Sequence, residues 1–193
     1  MKRGILIYIV IIVVLIIMLL FNFFTFRVNI RYLKGQIRDN TSLVEEVLTK
    51  QRKTFKYNGE ILMNQLIYDN NGTTYDLKSI VHKKIVIFNF SVTNCSQCYE
   101  PILKLLEFYQ GNDLIIIYHA NNIRDLNFLI KKYQFKFKVY YSSINYKSFP
   151  SETENLPCFF NLNRNLELNN IYYPLKNDIN TIREYLKQTL KKL

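Results

Sequence analysis

Cys95-Ser96-Gln97-Cys98 is where residue type and spacing in this sequence point most directly to chemistry. Two thiols three positions apart fall within one helical turn and can close a small disulfide. The run just before them, Ile85-Val86-Ile87-Phe88-Asn89-Phe90, is apolar on both faces over its first four residues. It reads as a strand buried in the middle of a sheet, which puts the pair on a strand-to-helix turn. At a helix start, open backbone N–H groups and the positive end of the dipole favour a thiolate at Cys95, below the free-thiol value of about 8.5.

Other uses of the thiols compete with this reading. A pair of inert core cysteines is one. A zinc site is another, needing two more ligands from Cys158, His82 and His119, which show no paired spacing. Cys158 follows Leu156-Pro157 in an apolar stretch, where it is either a small hydrophobe or a third redox thiol near the pair. His82 lies in a basic loop and His119 at a strand end, positions that predict ordinary loop and strand-end roles. Tyr99 suits either substrate contact or helix packing.

The elements that must hold these residues follow from periodicity. Asn70-Asn71-Gly72 separates apolar runs at 61–68 and 73–77 and predicts a hairpin. After the strand at 85–90 come a helix over about 96–109, a buried strand over 114–118, a helix over about 123–133 and a strand near 139–141. Past Pro157 the pattern gives strands at 159–162 and 166–172 around Asn163-Arg164-Asn165, then a helix over about 178–191. Alternating strands and helices closed by a hairpin and a helix predict an α/β domain with a mixed sheet.

Ahead of that domain, Ile5 to Phe24 is apolar apart from Asn22 and Tyr8, about 20 residues or about 30 Å of helix, enough to cross a bilayer. The run exceeds a signal-peptide core and lacks a small-x-small cleavage site, so an uncleaved anchor is expected. Basic residues flank both ends, with Lys2 and Arg3 before it and Arg27, Arg31, Lys34 and Arg38 after it. Ser42 and Glu45 have capping-box spacing ahead of Leu43, Val44, Val47 and Leu48, predicting that a separate amphipathic spacer helix starts there. The resulting division is an anchor over 1–25, a linker over 26–57 and a domain over 58–193.

Composition agrees with one ordinary domain plus an appendage. Of 193 residues 49% are hydrophobic, and 15 Tyr and 14 Phe supply the bulk of a core, which excludes extensive disorder. Three cysteines are too few for a disulfide scaffold. The formal charge of +11 raises nucleic acid as a partner, but Lys and Arg are scattered without an arginine-rich run or zinc-finger spacing, so no nucleic-acid partner is expected.

Asp76-Leu77-Lys78-Ser79-Ile80 and Lys83 through Cys98 resemble the segment leading into the active site of membrane-anchored thioredoxin-like proteins of the TlpA/ResA type. Leu156-Pro157-Cys158-Phe159-Phe160-Asn161-Leu162-Asn163 resembles their proline-led strand, and the likeness extends over about residues 70–193. It implies a thioredoxin-like mixed sheet flanked by helices, preceded by one transmembrane helix. It further implies that Cys95 attacks, that Cys98 resolves, and that a cis-Pro157 faces them, exposing Leu156 for pairing with an extended substrate. Ser91 and Asn94 stand where the family usually carries tryptophan, while Pro101 and Glu100 are displaced from its usual proline and acid. The function so implied is a membrane-tethered thiol–disulfide oxidoreductase outside the cytoplasmic membrane, on the periplasmic side. It needs no metal or organic cofactor and acts on protein thiols and disulfides with a separate redox partner. A non-catalytic peptide-binding module and a thiol metallochaperone are the alternatives.

Overall fold

The computed structural model describes residues 2–120, 122–143, 149–176 and 178–190, with the backbone alone for 2–13 and 152. The chain divides into two compact units, 1–49 and 50–193. The first is made entirely by helix α1 (Lys2–Tyr57), whose last two turns belong to the second unit. Within α1 a stretch of the described residues is long and apolar enough to cross a membrane, and none of it is buried in protein.

No new helix begins at Ser42. The Ser42 hydroxyl donates to the Asp39 carbonyl (2.8 Å) and Thr41 to that of Ile37 (2.8 Å), so both side chains turn back onto the preceding turn instead of capping a new one. The second unit likewise begins at Lys50, ahead of the expected boundary at residue 58. Lys50 Nζ donates to the Pro174 carbonyl (2.6 Å), and Lys53 and Lys56 pair with Glu154 at 3.0 and 2.9 Å. Tyr57 is buried and its hydroxyl donates to the same carboxylate (2.7 Å).

The α/β unit continues with β1 (Leu66–Tyr68), β2 (Thr74–Asp76), α2 (Leu77–Ile80), β3 (Ile85–Ser91), α3 (Ser96–Leu106), β4 (Leu114–Ala120) and α4 (Ile123–Tyr133). It closes with β5 (Val139–Ser143), α5 (Pro150–Glu154), β6 (Cys158–Leu162), β7 (Leu168–Tyr172) and α6 (Ile179–Thr189). Lys191, where the sequence pattern ended the last helix, lies outside the described residues. The seven strands form one mixed sheet in the order β2-β1-β5-β4-β3-β6-β7. β3, β4 and β5 run parallel, while β6 is antiparallel to β3 and β7 to β6. The expected mixed sheet with flanking helices is therefore present, and its core order β4-β3-β6-β7 is thioredoxin-like.

Side chains alternate across the sheet and sort into two cores. Val86, Phe88 and Phe90 of β3 face a core with Ile102, Leu103 and Leu106 of α3 and residues of α4 and α6. Ile85 and Ile87 face the other core, with Leu77, Phe149, Cys158 and Phe160. All seven β3 residues are buried, as a central strand covered on both faces requires. The strand thus delivers its C-terminal end, and the turn that follows, to a fixed place.

Candidate thiol site

Cys95 is the N-cap of α3 and is exposed, while Cys98, one turn on, is partly buried; both are free thiols. Their backbones are joined by the Cys98 N–H donating to the Cys95 carbonyl (2.9 Å). The Cys95 side chain makes no conventional cap bond to α3, but it sits at the open N-terminal end of that helix, where uncapped N–H groups favour a thiolate. The Cys95 thiol is held below its ordinary value, first by the Cys98 thiol and then by the Cys98 and Gln97 N–H groups, with Lys176 adding positive charge. Partial burial, and then the neighbouring Cys95, push Cys98 up to about 11. One sulfur is thereby favoured as thiolate and the other as thiol, the asymmetry that ordered exchange needs.

The turn carrying Cys95 is tied down by its own polar side chains. Asn94 Oδ1 accepts the Ser91 N–H (2.8 Å), and the Asn94 N–H donates to the Ser91 carbonyl (3.0 Å). Asn94 Nδ2 donates to Asn155 Oδ1 (3.0 Å), and Thr93 Oγ1 lies 3.2 Å from the same oxygen. Asn155 ends α5 in the left-handed region (φ 52°), a conformation asparagine tolerates better than most residues. Ser91 and Asn94, placed where the resembled family has aromatic bulk, form here a buried polar clasp.

Leu156 and Pro157 follow directly, and here the structure departs from the sequence expectation. The Leu156–Pro157 peptide bond is trans. The chain leaves α5 through a left-handed Asn155, with the Asn155 and Leu156 N–H groups both donating to the Ser151 carbonyl, and enters β6 without a cis bond. The Leu156 N–H is therefore occupied (3.1 Å to Ser151), so of the two backbone groups expected to pair with substrate only the carbonyl is left. Pro157 is buried.

Cys158 does not join the pair. It is fully buried, pairs in register with Asn89, and packs in the core opposite the one that receives α3, so the sheet separates its side chain from that helix. Burial pushes its thiol far up, with the Ser151 N–H only partly offsetting this. His119 is buried on that same face, with Nε2 2.7 Å from Asn89 Nδ2 and its ring against Phe149. His82 is exposed before β3, its carbonyl accepting from Arg164 Nε. Among the described residues no three His, Cys, Asp or Glu side chains gather to hold a metal. Tyr99 packs its ring at a tilt against Phe90 (centroids 4.7 Å apart), a contact that anchors α3 on the sheet.

Asn155 and Lys176 are the site residues that sequence reasoning missed. Neither lies near Cys95 in sequence. The one available signal for Asn155 was an asparagine just before Leu-Pro, a common end to a short helix.

No protein-family model matches the chain, and no curated protein matches it. Solved structures do. A proposed electron transfer protein from Aquifex aeolicus VF5 has a TM-score of 0.49 at 14% identity, covering 69% of this chain and 95% of its own. A secreted disulfide oxidoreductase of Mycobacterium tuberculosis, homologous to E. coli DsbE, has 0.47 at 11%, covering 65% and 96%. The peroxidoxin BcpB of M. tuberculosis has 0.49 at 10%, covering 71% and 97%. With TM-scores below 0.5, these likenesses leave function to the site itself.

Proposed function

We propose that this chain is a membrane-tethered thiol–disulfide oxidoreductase whose α/β unit works on the outer, oxidising side of the cytoplasmic membrane. The observation that carries this reading is an exposed Cys95 at the first turn of α3, lowered in pKa, with a raised Cys98 one turn behind it. Cys95 thiolate attacks one sulfur of a substrate disulfide, forming a mixed disulfide and releasing the other sulfur as a thiolate, which takes a proton. The Cys98 thiol then loses its proton and attacks Cys95 Sγ. This closes Cys95–Cys98 and releases the second substrate thiol, so two electrons pass from the pair to the substrate. A separate dithiol partner restores the pair, and the same steps run in reverse oxidise a dithiol. An extended substrate strand has the Leu156 carbonyl available to it. The apolar stretch of α1 supports the tether. The orientation rests on the thiol chemistry and the family resemblance, because the basic residues, two before the stretch and four after it, do not favour an amino end inside.

The test is turnover of a disulfide-bonded peptide by the full chain in non-ionic detergent with a dithiol reductant, followed by peptide mapping. Catalysed reduction and a Cys95–Cys98 disulfide in the oxidised protein are expected. Stoichiometric peptide binding without turnover would assign a binding module instead, and bound metal after purification a metallochaperone. Protease added to intact spheroplasts should cut the α/β unit, and protection beside a digested external control would reverse the orientation.

A further inference from the structure

At the end of the sheet opposite the thiols lies a cavity of about 660 Å³, within the usual size of a small-molecule site. It opens where β3 and β4 begin, at Ile85 and Leu114, while Cys95 follows the far end of β3. At about 3.3 Å per residue, the length of β3 alone puts the two about 20 Å apart. The floor is apolar, from Ile80, Ile85, Leu114 and Ile115, and the rim is cationic, from Lys83, Lys138 and Arg164 beside His82.

None of these three cations has a carboxylate partner among the described residues, and no Asp or Glu lines the cavity. Asp69 lines the neighbouring cavity, but its carboxylate already accepts the Asn71 and Thr73 N–H groups and the Tyr75 hydroxyl. Arg164 is held in place rather than loose. Asn163 Oδ1 accepts the Asn165 and Glu167 N–H groups at 2.9 and 3.1 Å, fixing the turn, and Arg164 Nε is bound to the His82 carbonyl. Three like charges converging on one cleft repel one another and raise the local concentration of anions.

We propose that this cavity binds a small organic phosphate, its phosphoryl oxygens among Lys83, Lys138 and Arg164 and its apolar part on the isoleucine and leucine floor. A phosphoryl group offers three acceptor oxygens to three cations, where a carboxylate offers two. Arginine presents a fork suited to phosphate and the lysines add point charges. The site is separate from the thiol chemistry and stands whether or not the proposed exchange activity holds.

The test is calorimetric titration of the full chain in non-ionic detergent with three probes: ADP, inorganic pyrophosphate and a short-chain phosphatidic acid. ADP is expected to saturate at one site, more weakly as salt rises. Lys83→Ala and Lys138→Ala should each weaken it about tenfold or more, as loss of one charged hydrogen bond does. Cys95 alkylation should be unchanged in both variants. Saturation by phosphatidic acid alone, lost in the double variant, keeps the phosphate chemistry and assigns the source to a lipid headgroup. No saturation by any probe, or equal binding to the Lys83→Ala/Lys138→Ala double variant, overturns the proposal.

Discussion

Asn94, the residue before Cys95, donates through Nδ2 to Oδ1 of Asn155, two residues before Pro157, at 3.0 Å. This bond links the thiol turn to the segment that resembles a substrate-pairing strand, across 61 positions of sequence. Asn155→Gly keeps the left-handed backbone but removes the acceptor, leaving a buried Asn94 amide short of a partner. We expect a stability loss of about 1–3 kcal/mol and slower thiol exchange. Asn155→Asp, which retains an acceptor oxygen, should recover most of both. Denaturant unfolding and exchange kinetics on the three proteins check this, and an unaffected Asn155→Gly would show the clasp to be idle.

Thiol reactivity should be split by pH. Cys95 lies below its ordinary value and Cys98 is raised to about 11, so alkylation near neutral pH should mark Cys95 alone and accelerate as its thiolate fraction grows. Cys98 should react only on approach to pH 11. Lys176→Ala removes a positive charge acting on both sulfurs and should move the Cys95 titration upward. Mass spectrometry of the alkylated peptides gives the readout, and equal labelling of both cysteines at pH 7 would contradict the asymmetry.

Acid should loosen the junction between the end of α1 and α5. Burial acts to raise the Glu154 carboxyl, but hydrogen bonds from Tyr57, Lys56 and Lys53 outweigh it and hold the group at about 2, below its ordinary 4.5. A depressed folded value means that the stabilisation is full above pH 4.5 and fades as pH falls toward 2. Wild type should therefore lose stability in that window, and Glu154→Gln should lose less there while starting lower at pH 7. Parallel acid profiles for the two proteins would sink this account of Glu154.

Cys158 should be dispensable for exchange. Its side chain lies across the sheet from α3 and burial keeps it protonated. Cys158→Ala should retain most activity and lose about 1 kcal/mol from the small void left behind. Loss of turnover without unfolding, together with a mapped disulfide to Cys158, would place it in the cycle.

Much of this architecture was legible because its strands are buried on both faces. β3 and β4 stand out by the apolar runs at 85–88 and 114–117 that open them, and α4 carries an amphipathic period together with an Asn122 cap that accepts from Arg124 and Asp125. Short elements were not legible: α2 and α5, with four and five residues, are too brief to show a period. Ser42 misled because a capping pattern is local, whereas uninterrupted helix on both sides let its hydroxyl bond back to Asp39 instead. The Cys95–Cys98 pair was visible from spacing alone. Its surroundings were not, because Asn155 and Lys176 reach the site only through the fold, and the trans bond at Pro157 follows from how α5 ends.

The central claim is that Cys95 attacks and Cys98 resolves, and trapping tests it most directly. Full-length Cys98→Ser and Cys95→Ser chains, each incubated with a disulfide-bonded peptide, should differ in one respect. Cys98→Ser should accumulate a mixed disulfide that mapping places on Cys95, and Cys95→Ser should accumulate none. A mixed disulfide on Cys98 in the Cys95→Ser chain, with none on Cys95 in the other, would contradict the account.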